Sequence, residues 1–205
     1  MNNFKDKAYE ILKKKIISCE LMPGSIIDQN ALVEEIGVSR TPVREAIHSL
    51  ETEGLLVVMP RRGVIVSNIS TNEVNQIYTV REAIEPLIAS LATPNVEKEK
   101  LLEFRSIFKK ETDNLDLLCQ CDYDMHNYFA EKSANHYLSR LMNSVLSHNM
   151  RVVILGAKIP DRMSKSNKEH IKIIDMMLDN DASGAKDAMK NHISSAKNIA
   201  LLLMK

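Results

Sequence analysis

The chain has 205 residues and a mass of 23.2 kDa, which allows one large domain or two modest ones. Hydrophobic residues make up 44% and charged residues 26%, a composition that excludes a disordered chain and fits a helical globular protein. Lys plus Arg and Asp plus Glu number 27 each, so the chain has no overall positive charge to bind nucleic acid indiscriminately. Any such binding has to be local.

Cysteine content and hydropathy limit where the protein acts. Three cysteines are too few for a disulfide framework, and the polar start MNNFKDKAYE has no apolar signal segment. No apolar run approaches the roughly 20 residues that a membrane-spanning helix needs. We therefore predict a cytoplasmic protein with no membrane partner.

The first 54 residues predict three short helices. The first carries apolar residues at helical spacing and is expected to end near Cys19, before LMPG. Asp28 is expected to cap the second helix and Gly37 to end it in a left-handed conformation. Ser39 is expected to cap the third helix, and Gly54 follows its last turn.

A hairpin and a linker follow these helices. The segment LLVVMPRRGVIVS predicts two strands around a four-residue turn, 60–63. The polar segment 67–72 predicts a linker, so a first domain spans 1–67 and a second spans 71–205. Apolar residues with a period of 3.6 predict six helices in the second domain, at 71–92, 96–112, 115–132, 135–157, 161–180 and 182–204. The predicted fold class is mainly α.

The order of helix, glycine turn and helix has the layout of a helix-turn-helix, whose recognition helix enters the DNA major groove by its N-terminus. The start of that helix and the hairpin tip carry the candidate DNA contacts, which are Ser39, Arg40, Thr41, Arg44, Arg61, Arg62 and Gly63. The alternative is that these arginines are solvated and paired with Glu45, Glu51 and Glu53, since residues 1–67 hold nine basic and nine acidic residues.

Residues 7–66, with ALVEEIGVSRTPVREAIHSLETEGLL followed by PRRGVIV, resemble the winged helix-turn-helix of GntR-type bacterial transcription regulators. The resemblance implies operator contacts at the positions of Arg40, Thr41, Arg44 and Gly63. One position departs from the family pattern, because Asn30 stands where members often carry an arginine.

Three histidines and an aspartate share the inward faces of predicted helices in the second domain. Asp122 and His126 are spaced i, i+4 in CDYDMHNYF, and His170 and His192 lie on the apolar faces of later helices. Taken singly, each is more simply a histidine satisfied in the core. Together they are costly to bury unless they are paired or share a cation. Three imidazoles and a carboxylate suit zinc, nickel, iron or manganese.

Residues 71–204 resemble the FCD domain that follows the winged helix in one large branch of these regulators. The resemblance implies an all-helical bundle of six or seven helices with an internal metal, zinc or nickel above all. The motif D-x3-H, a histidine that opens the penultimate helix and a last histidine after A-x3 are filled by Asp122, His126, His170 and His192. It further implies a dimerisation and effector-binding role.

Arg81 lies in YTVREAIEPLIASLA, amid the apolar residues Ile77 and Ile84, and is predicted to be drawn into the bundle. One interpretation is that it anchors a carboxylate effector through a bidentate bond. The other is that it pairs with Glu82 or Glu85, or acts at the domain junction. The residues alone do not separate these two interpretations.

The resulting prediction is a regulator that binds a palindromic double-stranded operator as a homodimer and responds to a small carboxylate at its metal. Two alternatives stay open. A metal-dependent enzyme fused to a DNA-binding domain is one, although no HExxH or comparable motif occurs and we expect no enzyme. A dimerisation domain with a purely structural metal and no effector is the other.

Overall fold

A computed structural model describes residues 4–110, 112, 114–157, 159 and 161–204. The chain divides into two compact units between Ile69 and Ser70. Within the described residues there are nine α-helices and three short strands, so the predicted mainly α fold class is confirmed. In that part of the chain, no helix combines the length and the apolar character needed to cross a membrane.

The first unit is built on three helices, with bounds α1 Phe4–Ile17, α2 Gln29–Ile36 and α3 Arg40–Thr52. The Asp28 carboxylate accepts hydrogen bonds from the backbone N–H groups of Asn30 and Ala31, so it caps α2 as predicted. Gly37 ends α2 with φ 70°. Ser39 occupies the capping position of α3, but its side chain makes no cap hydrogen bond, so that prediction is wrong.

Three antiparallel strands complete this unit: β1 Ile26–Ile27, β2 Leu56–Met59 and β3 Gly63–Val66, in the order β1-β3-β2. Met59 pairs with Gly63, so the turn has three residues, 60–62, and not the four predicted. The strand β1 was not predicted. Buried Leu56, Val64 and Val66 join Leu12 and Leu50 in one apolar core, which stabilises the hairpin against the helices.

The second unit is a helical bundle with the bounds α4 Thr71–Ala92, α5 Lys98–Lys109, α6 Leu115–Lys132, α7 His136–Gly156, α8 Arg162–Leu178 and α9 Ala182–Leu202. A short 3₁₀ turn, Thr93–Asn95, follows α4. The helix α4 packs along α9, α9 along α8, α6 along α7 and α5 along α8. This packing brings the inward faces of α4, α6, α8 and α9 to one interior region, where the polar residues described next are found.

Candidate metal centre and nucleic-acid interface

Four polar side chains lie together inside the second unit. Asp122 and His126 are one turn apart on the buried face of α6, His170 lies on α8 and His192 on α9. All four are buried, with exposed fractions of 7%, 2%, 0% and 2%. Their faces also carry the apolar residues that hold the bundle together, so helix packing fixes the position of the polar groups.

The side chains present their ligand atoms to a common point. His170 Nε2 lies 3.1 Å from Asp122 Oδ1 and 3.2 Å from His192 Nε2. His126 Nε2 lies 4.0 Å from Asp122 Oδ1. One ligand atom from each of the four residues lies within 4.8 Å of the others. Since two ligands about 2.1 Å from one ion are at most about 4.2 Å apart, only a small contraction would let all four bind the same ion.

These residues fit a divalent transition metal. His126 Nε2 is a buried nitrogen with no hydrogen-bond partner among the described residues. A buried polar atom without a partner is costly, and a cation bound to its lone pair removes that cost. Three imidazole nitrogens and one carboxylate oxygen form a donor set that zinc, nickel, iron and manganese accept.

The electrostatic environment favours the deprotonated forms that bind metal. Burial lowers the pKa of His170 and, with repulsion from His170 and His126, lowers the pKa of His192 further. Burial alone would raise the pKa of Asp122, but the hydrogen bond from His170 holds it well below its ordinary value of 3.8. At neutral pH the imidazoles of His170 and His192 are therefore neutral and Asp122 is ionised.

Arg81 is buried beside this cluster, with an exposed fraction of 1%. Its Nε donates to Glu85 Oε1, one turn along α4, and its guanidinium lies 5.1 Å from the centre of the Tyr78 ring. Glu82 binds Lys197 at 2.7 Å. Of the two predicted partners, Glu85 is therefore the one that Arg81 uses.

Two of the clustered histidines have a glutamate at Nδ1, the ring nitrogen that faces away from the cluster. The sequence did not predict these contacts. Glu85 Oε2 contacts His126 Nδ1, and Glu169 Oε2 lies 2.9 Å from His192 Nδ1. Burial would raise the pKa of Glu85, but Arg81 and His126 hold it near 2. The position of Glu169 next to His170 in the chain was the only sequence signal, and it points to a different histidine from the one that Glu169 binds.

Two further arginines are buried in the second unit, Arg151 on α7 and Arg162 at the start of α8. Together with the hydrogen bond from His148, the charge of Arg151 holds the pKa of Glu73 below its ordinary value. The charge of Arg162 offsets part of the rise that burial causes in the pKa of Tyr78. A cavity of about 760 Å³ lies between the C-terminal end of α5 and the N-terminal half of α8. Its wall includes Phe108, whose ring centre is 4.6 Å from that of His170.

Two other histidines of this unit lie outside the cluster. His136 is exposed at the start of α7, with its ring centre 3.9 Å from that of Tyr137. His148 Nδ1 lies 3.2 Å from Glu73 Oε1. The structure therefore brings together the four predicted metal ligands and leaves these two histidines apart.

The predicted DNA-contact residues are all exposed on the first unit: Ser39, Arg40, Thr41, Arg44, Arg61, Arg62 and Gly63. Arg40 Nη2 donates to Asn30 Oδ1 across 3.3 Å, and Arg40 and Arg44 border a cavity of about 310 Å³ between α2 and α3. Asn30 thus lies beside the recognition helix and contacts one of its arginines.

The hairpin tip places two arginines in the turn before β3. Arg61 has φ 65° and Gly63 has φ 92°, a left-handed conformation that glycine adopts without strain. Two of the three acidic residues proposed as alternative partners make other contacts: Glu53 binds Lys13 at 2.9 Å, and Glu51 accepts from the backbone N–H of Val58.

Comparisons with known proteins agree with both units. The sequence model of the bacterial regulatory proteins of the gntR family matches residues 4–66, and that of the FCD domain matches residues 76–195. YdhC of Bacillus subtilis, an uncharacterized HTH-type transcriptional regulator, is 27% identical over 195 residues, which are 91% of this chain and 86% of YdhC.

Two solved structures share the fold. Escherichia coli McbR/YncC superposes with a TM-score of 0.87 at 18% identity, covering 100% of both chains. The Zn²⁺-bound FCD domain of TM0439 superposes with a TM-score of 0.54 at 17% identity, covering 66% of this chain and 96% of that domain.

The matched domains and relatives are those of regulators and not of enzymes. The two matches cover the winged helix-turn-helix and most of the helical bundle. The chain therefore belongs to the GntR family of bacterial transcriptional regulators, with an FCD domain as its second domain.

Proposed function

We propose that this regulator binds a palindromic operator in the cytoplasm as a homodimer, and that a small organic acid at a divalent metal in the FCD domain controls its operator affinity. The observation that carries the proposal is the convergence of Asp122, His126, His170 and His192 inside the unit joined to the winged helix. A ligand that prefers one of two conformations shifts the population between them, which is the link from metal centre to operator.

In this proposal the metal is zinc or nickel, with manganese or iron as further candidates, and the four residues named above hold it. The metal supplies Lewis acidity, which attracts a carboxylate or hydroxyl oxygen. A six-coordinate ion bound to four protein ligands keeps two positions for such an oxygen donor. The Zn²⁺-bound FCD domain of TM0439 supports this assignment.

Buried positive charge supports a carboxylate as the effector. Arg81, Arg151 and Arg162 all lie in the interior of the FCD domain. A guanidinium has five N–H donors, and the bond from Arg81 Nε to Glu85 engages one of them. Arg81 is therefore our candidate for a second contact to an acid whose first contact is the metal.

An exposed apolar face supports the homodimer. Leu87 and Leu91 on α4 and Tyr137 and Leu141 on α7 have exposed fractions between 39% and 73%, and these two helices pack against each other. A second copy of the chain is the proposed occupant, because a palindromic operator requires a protein with two-fold symmetry.

The metal centre is tested by metal content. We expect about one transition-metal ion per chain in protein purified without added metal, and a large loss in His126→Ala, His170→Ala and His192→Ala. Removing the ion with a chelator should lower the free energy of unfolding, by about 4 kcal/mol where free metal exceeds the Kd a thousandfold. Elemental analysis and thermal melting measure both effects. His136→Ala is the control, because His136 is exposed, whereas His148 pairs with Glu73. Purified protein that contains no transition metal and whose melting temperature does not change with chelator would contradict the proposal.

The effector is tested with a panel of mono-, di- and hydroxycarboxylates, each beside its uncharged amide. A binding acid should raise the melting temperature of metal-loaded protein and change operator affinity in the same titration. The same acid should have a much smaller effect on metal-free protein, and Arg81→Lys should weaken it because lysine lacks the planar fork. Metal-loaded protein that responds to no carboxylate would favour the structural-metal alternative.

The DNA contacts are tested by fluorescence anisotropy at several salt concentrations. Arg40→Ala and Arg44→Ala should each weaken operator binding by about 1–3 kcal/mol and reduce sequence discrimination if they contact bases. Arg61→Ala and Arg62→Ala should weaken binding to all sequences alike and lower the salt slope by about 1 each. Lys190→Ala, an exposed change on α9, is the control. Full operator affinity in the Arg40→Ala, Arg44→Ala double variant would exclude α3 as the recognition helix.

The dimer is tested by analytical ultracentrifugation. Leu87→Glu and Leu141→Glu place charges on the proposed interface and should shift the chain toward the monomer, because an unpaired buried charge opposes association. Leu102→Glu is a matched control on α5, where Leu102 is 45% exposed, close to the 46% of Leu87. Unchanged sedimentation of both interface variants would show that this face does not mediate the dimer.

A further inference from the structure

Two carboxylates lie behind two of the three histidines in the candidate metal centre. Glu85 on α4 contacts His126 at Nδ1, and Glu169 on α8 accepts from His192 at Nδ1 across 2.9 Å. In both rings the other nitrogen, Nε2, faces the cluster. Each glutamate therefore contacts a ring on the side opposite to the proposed ion.

This arrangement selects one tautomer of each ring. An ionised carboxylate can only accept hydrogen bonds, so the Nδ1 atom that it contacts must carry the hydrogen. The neutral ring then has its lone pair on Nε2, the atom that faces Asp122 and the other histidines. The carboxylate also restricts rotation of the ring and makes Nε2 a stronger donor to a metal.

His170 provides an internal comparison. Its Nε2 faces Asp122 and His192, as the proposed ligand role requires. In the part of the chain that the structure describes, the carboxylate contact of His170 is with Asp122 at Nε2, and no carboxylate contacts its Nδ1. The carboxylate contact at Nδ1 is thus a feature of His126 and His192, on α6 and α9.

Glu85 makes a second contact that fixes its own position. One of its oxygens contacts His126 and the other accepts from Arg81 Nε, and Glu85 has an exposed fraction of 2%. The carboxylate is held between two donors from different helices. Through Glu85, α4 is tied to the cluster although it supplies none of the four candidate ligands.

We propose that Glu85 and Glu169 are positioning residues of the metal centre, which hold His126 and His192 in the tautomer and orientation that bind the ion. The inference rests on the proposed metal centre and adds two residues to it. Outer carboxylates of this kind are worth 10- to 100-fold in metal affinity in other proteins.

The substitutions follow from the number of acceptors that each glutamate supplies. Arg81 and His126 contact different oxygens of Glu85, and Glu85→Gln replaces one of these oxygens by an NH₂ donor, so it should weaken metal binding about 10- to 100-fold. Glu169 accepts from one histidine nitrogen, so Glu169→Ala should have an effect of that size, whereas Glu169→Gln should retain most of the affinity. Glu82→Gln is the control on α4, because Glu82 binds Lys197.

Metal affinity is measured on the full chain by competition for Zn²⁺ or Ni²⁺ with a chromophoric chelator. A second readout is NMR of the imidazole nitrogens in metal-free protein, where we expect the Nδ1–H form of His192 in the wild type and a loss of that preference in Glu169→Ala. If Glu169 had only a structural role, its replacement by alanine would not change the tautomer of His192. If Glu85→Gln does not fold, the Glu169 pair of variants carries the test.

The outcomes separate this inference from the proposed function. A wild-type chain that binds no metal would overturn the metal centre together with its positioning residues. A wild-type chain that binds metal, with affinities in Glu85→Gln and Glu169→Ala within about twofold of it and an unchanged His192 tautomer, would overturn this inference alone. Reduced affinity with rescue by Glu169→Gln would support it.

Discussion

The structure of the FCD domain depends on how three imidazoles and a carboxylate are accommodated inside an apolar bundle. Buried polar groups that lack partners cost free energy, and the cost grows in an interior of low dielectric constant. Asp122 and His126 come from α6, His170 from α8 and His192 from α9, so one shared interaction spans three helices that are distant in the chain. A cation at that point would satisfy the four groups together and crosslink the three helices.

The helix α4 also borders this interior region, where it contributes the charged residues Arg81 and Glu85 and none of the four candidate ligands. The row of contacts Arg81, Glu85 and His126 runs from α4 into the cluster. The same helix begins at Thr71, directly after the first unit ends at Ile69. An acid that binds the metal and competes with Glu85 for Arg81 would therefore act on the helix that continues from the DNA-binding domain. A coupling free energy of the usual size needs only such a difference in contacts between two states.

Much of this arrangement could be predicted from sequence because local rules govern it. The period of apolar residues placed all six helices of the bundle, and the i, i+4 spacing of Asp122 and His126 put two candidate ligands on one face. The strand and the contacts that the sequence did not reveal depend on partners far away in the chain. The strand β1 has two residues and forms because Ile26 and Ile27 pair with β3. It is too short for an alternation of apolar and polar residues to predict it. The contacts of Glu85 and Glu169 depend on which helices are neighbours, which periodicity does not encode.

The two domains use their charged residues in opposite ways, and this follows from where each set lies relative to water. In the first unit the arginines are exposed, and a helix N-terminus and a hairpin tip present them around an apolar core that does not need them for folding. In the second unit a set of charged residues, Arg81, Glu85 and Asp122, is internal, and the packing of α4, α6, α8 and α9 depends on how these charges are balanced. Substitutions at Arg40 or Arg44 should therefore change DNA affinity at nearly constant stability. Substitutions at the candidate metal ligands should change stability and ligand response together, because the same contacts determine both.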